Sequence, residues 1–354
     1  MKAISVDKLQ PGMELARTVV NDDMVVILSE NTLLTKAHIT RLGFLKIPSV
    51  YIKDEYELSP NYQSVMALFN RGNAFASEYK EVLRKVNSII EATTQTGQIP
   101  VDKSKNLVHS SLAPMSKQSG VIDYLYELNH MADDLYNHSM RVAILTGVIG
   151  KWLYKKPSEI NDLILAGFLH DIGKTKFPDR LQSRRVETLK GEDFERYMQH
   201  TIDGSHLINE DPNLADGIKL AALQHHEYMD GSGFPFGTKG EEIHEYARII
   251  AIADLYDNIT TEREGFVRQT PFDAIARITE DMYSKLDPTI SVTILKRIKD
   301  AFLGSKVMLS NGLEGTIVNY PNDFAQHPLV RIDQENVVDL NQHKDIKIIE
   351  YNQK

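Results

Sequence analysis

Residues 159–169 form a nearly uninterrupted apolar segment that ends in ionisable side chains. Apolar residues occur on every side of the helix that this segment predicts, so we expect a buried helix with Ser158 as its N-cap. The residues that follow are His170-Asp171-Ile172-Gly173-Lys174. An imidazole, a carboxylate and an ammonium at the end of a buried helix are unfavourable unless they pair or bind metal. Both a metal site and an ion-paired helix end, with Lys174 near the negative end of the helix dipole, fit this segment.

A second element is the adjacent pair His225 and His226, which precedes Asp230-Gly231-Ser232-Gly233-Phe234-Pro235. Neighbouring residues of a helix point about 100° apart, so we expect the two imidazoles to bind two adjacent ions rather than one. The glycines and the proline predict a rigid loop that could hold a substrate. An isolated His-His pair is usually a surface feature, and the loop that follows makes this pair a more specific signal.

A third element is Asp254, which lies in the apolar helical segment 248–257. An unpaired carboxylate in such a helix destabilises the fold strongly. Metal coordination would stabilise it, and an ion pair with Arg248 or Lys174 is the alternative.

Further histidines in the same region differ in their predicted positions. Asp134 and His138 are four residues apart and therefore face the same side of a helix. His200 lies in a helix of mixed character, and His206 falls roughly on the opposite face, so we interpret His206 as a non-ligand. The other histidines, among them His130 and His244, are interpreted as structural or solvated.

The periodicity of apolar residues predicts a mainly α-helical chain with small β-containing modules at both ends. The predicted divisions are a β-rich module at 1–60, a helical segment and linker at 61–118, an all-helical central domain at 119–304 and a β module at 305–354. Within them, residues 61–94 predict an amphipathic helix, 93–105 a linker and 121–154 one long helix.

The composition excludes several classes of function. Forty basic and 49 acidic side chains give a formal net charge of −9, which argues against binding a nucleic-acid polymer. Cysteine is absent, which excludes disulfides, thiolate ligands and cysteine nucleophiles and is consistent with a reducing compartment. The first residues lack a signal-peptide pattern and no stretch reaches the roughly 20 apolar residues of a membrane span, so we expect a cytoplasmic protein without membrane segments.

Taken in order, these elements resemble the HD-GYP branch of the HD metal-dependent phosphohydrolases. The resemblance covers residues 120–304, about half of the chain, and rests on His138, the segment 170–174, His200, the segment 225–235 and Asp254. Ile172-Gly173-Lys174 and the Gly-Phe-Pro loop distinguish this branch from other HD proteins. The resemblance implies an all-helical HD-type catalytic domain.

The resemblance also implies a cluster of two or three divalent ions, iron or manganese. The implied ligands are His138, His170, Asp171, His200, His225, His226 and Asp254, with Asp171 as the bridging ligand. A third ion in some family members uses a glutamate four residues before the first histidine, where this chain has the shorter Asp134. A solvated helix carboxylate is the alternative for Asp134. Nitrogen and oxygen donors suit zinc as well, so the residue types alone do not identify the metal.

Substrate contacts are implied in the same way. Lys174 resembles the family lysine that contacts the scissile phosphate, and Arg263 resembles an arginine that binds the other phosphate, with Arg268 as a second basic contact. The family usually has Arg-Pro-Tyr-Arg/Lys here, whereas this chain has Arg263-Glu264-Gly265-Phe266-Val267-Arg268. Gly233, Phe234 and Pro235 are expected to contact substrate, with Phe234 keeping the ring of the family's tyrosine and losing its hydroxyl.

The activity implied is hydrolysis of cyclic di-GMP to pGpG, with GMP as a possible second product, by a metal-activated hydroxide. Asp171 and Lys174 are the expected catalytic residues. Cyclic GMP-AMP is an alternative substrate, because no identified residue reads the bases.

Three other interpretations remain open from the sequence. The altered residues after Arg263 favour a catalytically weak receptor for cyclic dinucleotides, whereas the intact ligand set opposes it. An HD phosphohydrolase of another phosphoester is the second, and a purely structural helical protein is the third. A homodimer or a signalling partner could be bound through the terminal modules or the helix at 61–94.

Overall fold

The computed structural model describes residues 2–9, 13–20, 26–28, 32, 34, 36–52, 73–118, 120–128, 134–177, 188–262, 266–334 and 336–352. They form two compact units, the first from the described residues among 1–77 and 127–132, the second from those among 78–126 and 133–354. The second unit therefore joins the central domain with the preceding helices and with the C-terminal strands. The predicted boundaries at 60, 118 and 304 stay a prediction.

The described residues of the first unit include four short strands and one complete α-helix. In chain order these are β1 (Lys2–Ser5), β2 (Val19–Val20), β3 (Val26–Leu28), α1 (Lys36–Phe44) and β4 (Ser49–Ile52). Antiparallel pairs form between β1 and β4 and between β2 and β3. The buried core includes Leu15, Leu34 and Leu42. β1 was missed by the sequence interpretation because it pairs with a strand more than 40 residues away, and its own pattern is weak.

Helices dominate the rest of the described chain, which confirms the predicted mainly α fold. They are α2 (Asn73–Thr96), α3 (Val101–Leu107), α4 (Ala113–Ser116), α5 (Val121–Leu128), α6 (Leu135–Trp152), α7 (Pro157–Leu169), α8 (Glu192–Asn209), α9 (Asp216–Gln224), α10 (Glu245–Thr260), α11 (Pro271–Asp281) and α12 (Pro288–Phe302). A π-helical turn, Val108–Leu112, joins α3 to α4, and a 3-10 turn, Ile172–Lys176, follows α7. Among the described residues, no helix has both the length and the apolar character needed to cross a membrane.

Several predicted helix boundaries were wrong. The single helix expected over 121–154 is two helices, α5 and α6, and the expected linker at 93–105 contains most of α3. Residues 61–72 of the expected amphipathic helix lie outside the described residues. The N-cap of α7 is Lys156 rather than Ser158, because Pro157 takes the first helical position, where its missing N–H costs nothing.

Gly167 allows α6 and α7 to pack closely side by side. A Cβ on Gly167 of α7 would lie 2.6 Å from Thr146 Oγ1 and 3.1 Å from the Cα of Ala143, both on α6. Residues 153–156 connect the two helices, and such a short connection makes neighbouring helices antiparallel. The beginning of α6 therefore lies beside the end of α7, which is where the first predicted ligands are found.

The C-terminal strands form one antiparallel sheet in the order β8-β7-β6-β5-β9. Their bounds are β5 (Lys306–Leu309), β6 (Glu314–Asn319), β7 (Leu329–Arg331), β8 (Val337–Asp339) and β9 (Ile348–Asn352). The ring of Tyr351 on β9 lies 5.7 Å from that of Phe272 and 5.4 Å from that of Phe302. Aromatic packing thus attaches the sheet to α11 and α12.

Candidate metal centre

Five helices bring the predicted ligands together in the second unit. His138 lies in the first turn of α6, His170 and Asp171 follow α7, His200 is in α8, His225 and His226 follow α9, and Asp254 is in α10. Donor atoms form two groups, within each of which they lie no more than 4.8 Å apart: Asp171 with His200, His225 and His226, and Asp171 with His138 and His170. All of the grouped side chains are buried, and Asp171 belongs to both groups.

The two carboxylate oxygens of Asp171 face different groups. Oδ1 lies 3.2 Å from Nε2 of His200 and 3.6 Å from Nε2 of His225. Oδ2 lies 3.3 Å from Nε2 of His138 and 3.5 Å from Nε2 of His170. Asp254 adjoins the second group, with Oδ1 3.1 Å from Nε2 of His138. This arrangement suits a carboxylate that bridges two cations.

In four of the histidines, a contact at Nδ1 fixes the tautomer that metal binding needs. The partners of Nδ1 are the Asp257 carboxylate for His138 (2.8 Å), the Gly167 carbonyl for His170 (2.7 Å), the Tyr197 carbonyl for His200 (2.5 Å) and the Ala222 carbonyl for His225 (3.0 Å). An Nδ1–H that donates to an oxygen leaves the lone pair on Nε2, the atom that points into the cluster. The fold therefore orients these rings as ligands.

The charge states of His170, His200 and Asp171 favour binding of a cation. Burial lowers the pKa of His170 to about 3 and that of His200 to about 4, so both rings are neutral at pH 7. Burial by itself would raise the pKa of Asp171, but the positive charge of Lys174 holds it well below its ordinary value. Neutral imidazoles and ionised carboxylates are the forms that coordinate metal.

Two buried atoms test whether a metal fits. Within the described part of the chain, Asp171 Oδ1 and His226 Nε2 are buried and have no hydrogen-bond partner. Buried polar atoms rarely stay unsatisfied, and both belong to the group that also contains His200 and His225. A divalent cation in that group would satisfy both, and nitrogen and oxygen donors are appropriate ligands for it. The residues fit the implied metal.

His225 and His226 lie in one group of donors, contrary to the expectation that each would bind a different ion. The expectation assumed helical geometry for both residues. α9 ends at Gln224, with His225 as its C-cap and His226 in the turn that follows. Both can therefore approach one ion.

Sequence reasoning missed two buried residues that support His138. The Asp257 carboxylate, which contacts His138 Nδ1, is held by Arg141 through Nε at 2.6 Å and Nη2 at 3.0 Å. Arg141 and Asp257 are 0% and 1% exposed. Their spacing carried a signal: Arg141 lies three residues after His138, and Asp257 three after Asp254, each one helical turn away on the same face.

Asp134 belongs to neither donor group. It is the N-cap of α6, and its Oδ1 accepts hydrogen bonds from Asn137 N at 2.7 Å and from Asn137 Nδ2 at 3.0 Å. Asp134 therefore begins the helix that carries His138. The prediction had instead placed both residues on the same face within a helix. Its role as a ligand of a third ion stays a prediction.

The basic residues near the site have distinct partners. Lys174 Nζ donates to Asp171 Oδ2 at 2.5 Å and lies 4.9 Å from the centre of the Tyr197 ring. Arg248, suggested beside Lys174 as an ion-pair partner of Asp254, instead binds Asp287 at 2.6 Å. Asp254 Oδ1 accepts a hydrogen bond from Asn258 Nδ2 at 2.8 Å and lies 3.1 Å from Nε2 of His138.

The Gly-Phe-Pro loop packs directly on the cluster. A Cβ on Gly233 would lie 2.3 Å from the carbonyl oxygen of His226, so only glycine fits there. The Phe234 ring lies 4.6 Å from the His226 ring. The buried Glu227, which sequence reasoning did not single out, accepts hydrogen bonds from the backbone N–H groups of Phe236 (2.8 Å) and Thr238 (3.0 Å) and so holds the loop.

The remaining predicted residues are placed as follows. Arg268 donates to the Tyr126 carbonyl at 2.8 Å and its guanidinium lies over the Tyr126 ring, so its substrate contact stays a prediction. Arg263 and His130 lie outside the described residues. His206 is exposed, and His244 Nδ1 accepts from the Tyr246 N–H at the start of α10.

Comparison with known proteins identifies similar domains. Residues 125–290 match the family model described as HD domain. This match bears out the resemblance to the HD proteins. The structure of an HDG"Y"P protein from Bdellovibrio bacteriovorus superposes with a TM-score of 0.53 at 17% identity, covering 84% of this chain and 99% of that one, which supports the fold.

Two curated relatives extend the comparison. A cyclic di-GMP phosphodiesterase of Pseudomonas aeruginosa is 27% identical over 229 residues, which are 65% of this chain and 55% of that protein. A 3'3'-cGAMP-specific phosphodiesterase of Vibrio cholerae is 29% identical over 164 residues, 46% of this chain and 35% of that protein. The chain spans about half or less of the length of these relatives.

Proposed function

We propose that this chain hydrolyses a phosphodiester bond of a cyclic dinucleotide, with cyclic di-GMP as the first candidate, at a centre of two divalent ions. The observation that carries the proposal is the position of Asp171, which presents one oxygen to His200 and His225 and the other to His138 and His170. Two ions held 3.5–4 Å apart is the usual arrangement in enzymes that cleave phosphate esters. Iron or manganese is the proposed metal.

Each side chain has a separate task in this proposal. His200, His225 and His226 would hold one ion, His138, His170 and Asp254 the other, and Asp171 would bridge them. Bound divalent ions would supply an activated water molecule and stabilise negative charge on the phosphoryl oxygens. The chain itself orients the ligands through their Nδ1 contacts, which keeps reorganisation small when charge develops.

Lys174 would bind a phosphoryl oxygen next to Asp171. The negative charge of Asp171 outweighs burial and raises the pKa of Lys174 above its ordinary value, so the side chain stays a cation near neutral pH. Its contact with the Tyr197 ring fixes the direction of the ammonium. Gly233, Phe234 and Pro235 would close one side of the site, and Arg263 would bind the second phosphate.

Cyclic GMP-AMP is the second candidate substrate. The Vibrio cholerae relative supports it, since its name gives that specificity. Contacts with phosphate and metal are common to both dinucleotides, so the proposed centre serves either one.

The experiment that tests the proposal uses protein purified without oxygen and loaded with Fe(II) or Mn(II). Cyclic di-GMP and 3'3'-cGAMP are incubated separately, and linear products are separated by chromatography. Asp171→Asn keeps the volume of the bridging side chain and is expected to lose both metal content and turnover. His200→Ala and His206→Ala form a matched pair on α8, because His200 is buried in the cluster and His206 is exposed.

Turnover that depends on metal and disappears in His200→Ala but not in His206→Ala would support the proposal. Faster hydrolysis of 3'3'-cGAMP would select the second substrate. Full activity in Asp171→Asn would contradict the site. Retention of cyclic di-GMP without any product would instead identify a receptor, and neither retention nor product would direct attention to another phosphoester.

A further inference from the structure

A second cavity lies between the helical bundle and the C-terminal sheet, and it shares no residue with the metal centre. Its volume is about 790 Å³, and its walls come from residues 270–283 around α11, from 321–327 after β6 and from 339–348 before and within β9. We call it the C-terminal cleft. Clefts of roughly 300–1,000 Å³ are the usual size for small-molecule sites.

Aromatic side chains face the opening of the cleft. Phe324 and Tyr283 are 54% and 72% exposed, and both line it. An exposed aromatic ring in a concave surface offers a flat apolar face, on which another planar ring can stack. Phe272, also in the lining, is buried in the aromatic packing with Tyr351, so the floor of the cleft is fixed.

The charges in the cleft are not all engaged. Asp339 accepts hydrogen bonds from Asn341 and Gln342, and Asp273 accepts from Thr270 in the capping box of α11. Lys344 and Lys347 are exposed in the same lining, and neither forms an ion pair with an acidic side chain within the described residues. The carboxylates are therefore occupied by protein donors, whereas the two ammonium groups are available to a ligand.

His327 adds a third nitrogen donor to the lining. Burial lowers the pKa of its imidazole, the charge of Asp273 opposes this, and the charges of Lys347 and Lys344 lower the pKa further. A local pair of cations stands out on a chain whose formal net charge is −9.

We propose that the C-terminal cleft binds a nucleoside monophosphate, with the phosphate on Lys344 and Lys347 and the base stacked on Phe324. Lysine ammonium groups bind phosphate oxygens as compact point charges, and bases stack on aromatic side chains with little dependence on sequence. The site is independent of the phosphodiesterase activity proposed above, because none of its residues lies in the metal centre.

The test measures binding of GMP and AMP to the full, metal-loaded chain by calorimetry, with inorganic phosphate as a third probe. Lys344→Glu/Lys347→Glu is expected to weaken nucleotide binding by about tenfold or more. Phe324→Ala is expected to weaken it by about fivefold or more, since it removes the stacking surface. Lys103→Glu/Lys117→Glu makes the same charge change at exposed positions outside the lining and should change affinity less than about twofold.

Three results would overturn the proposal. Nucleotide binding that persists in Lys344→Glu/Lys347→Glu would belong to another site, such as the metal centre. Equal affinity for phosphate and GMP would remove the role of the aromatic wall. Absence of binding at millimolar GMP or AMP would exclude a nucleotide site. All variants concern exposed side chains, so matching thermal midpoints establish that they are folded.

Discussion

The substitution Asp257→Asn keeps the shape of the side chain and removes its charge, and we expect it to destabilise the metal-free protein by about 3–5 kcal/mol. Arg141, which is 0% exposed, makes two short contacts with this carboxylate. In the variant the guanidinium would stay charged and buried, without the opposite charge of Asp257 beside it. A second route gives a smaller value of the same order. Although burial would raise it, the pKa of Asp257 is lowered from 3.8 to about 2 by Arg141 and His138. A shift of that size corresponds to about 2 kcal/mol.

Urea unfolding of chelator-treated protein, followed by circular dichroism, measures the effect. Asp281→Asn is the matched control, because Asp281 binds Arg277 Nε at the same distance, 2.6 Å, while the Arg277 side chain is 49% exposed. Exposed ion pairs contribute about 1 kcal/mol or less, so the control should lose much less stability. Equal losses in the two variants would refute the argument that burial of the Arg141–Asp257 pair sets the magnitude.

The same variant should also bind metal more weakly. His138 Nδ1 loses the carboxylate that fixes its tautomer, and loss of such an outer contact lowers metal affinity by about 10–100-fold. Competition with a chromophoric chelator measures this without turnover. Unchanged metal affinity in a folded Asp257→Asn variant would mean that the contact does not orient His138.

The remaining predictions concern packing, a loop and pH. Gly173→Ala should destabilise the protein by about 3 kcal/mol or more, because a Cβ would lie 2.0 Å from the His200 carbonyl; Gly43→Ala, where no atom lies within 4 Å, should change the free energy of unfolding by less than about 1 kcal/mol. Glu227→Gln should speed hydrogen exchange of the loop amides after residue 235, and unchanged exchange would contradict its role. Burial lowers the pKa of Lys299 from 10.5 to about 8, so the unfolded chain binds more protons between these values. The stability of the native protein should therefore rise from pH 8 to pH 10 relative to Lys299→Met, and parallel pH profiles would contradict this.

The candidate site illustrates how far local patterns reach. His170, Asp171, His200, His225, His226 and Asp254 were all chosen from the sequence and lie in or beside the two donor groups. The full set came from the resemblance to a family, whereas the cost of an ionisable group in an apolar helix indicated His170, Asp171 and Asp254 without coordinates. Asp134 shows what local patterns miss. One helix was predicted over 121–154, but two helices occur there, and Asp134 is the N-cap of the second.

Boundaries and supporting contacts depended on distant residues. Arg141 and Asp257 are 116 positions apart, and β1 pairs with β4 across the first unit, so no local pattern specifies either pair. The joint approach of His225 and His226 to one group depended on where α9 ends. The tertiary structure sets this end of α9, because the turn after the helix packs against the loop that contains Gly233.

The sequence by itself therefore determined the helical class and, through the resemblance to a family, which histidines and aspartates to expect together. The helical class follows from periodicity, and the cost of burying charge singled out His170, Asp171 and Asp254, because both are properties of neighbouring residues. Only the tertiary structure decided that Asp171 faces two groups, that Asp257 and Arg141 support His138, and that two lysines and a phenylalanine share a second cleft. Such features join residues far apart in the chain, and their distances are set by packing of whole helices and strands rather than by any segment alone.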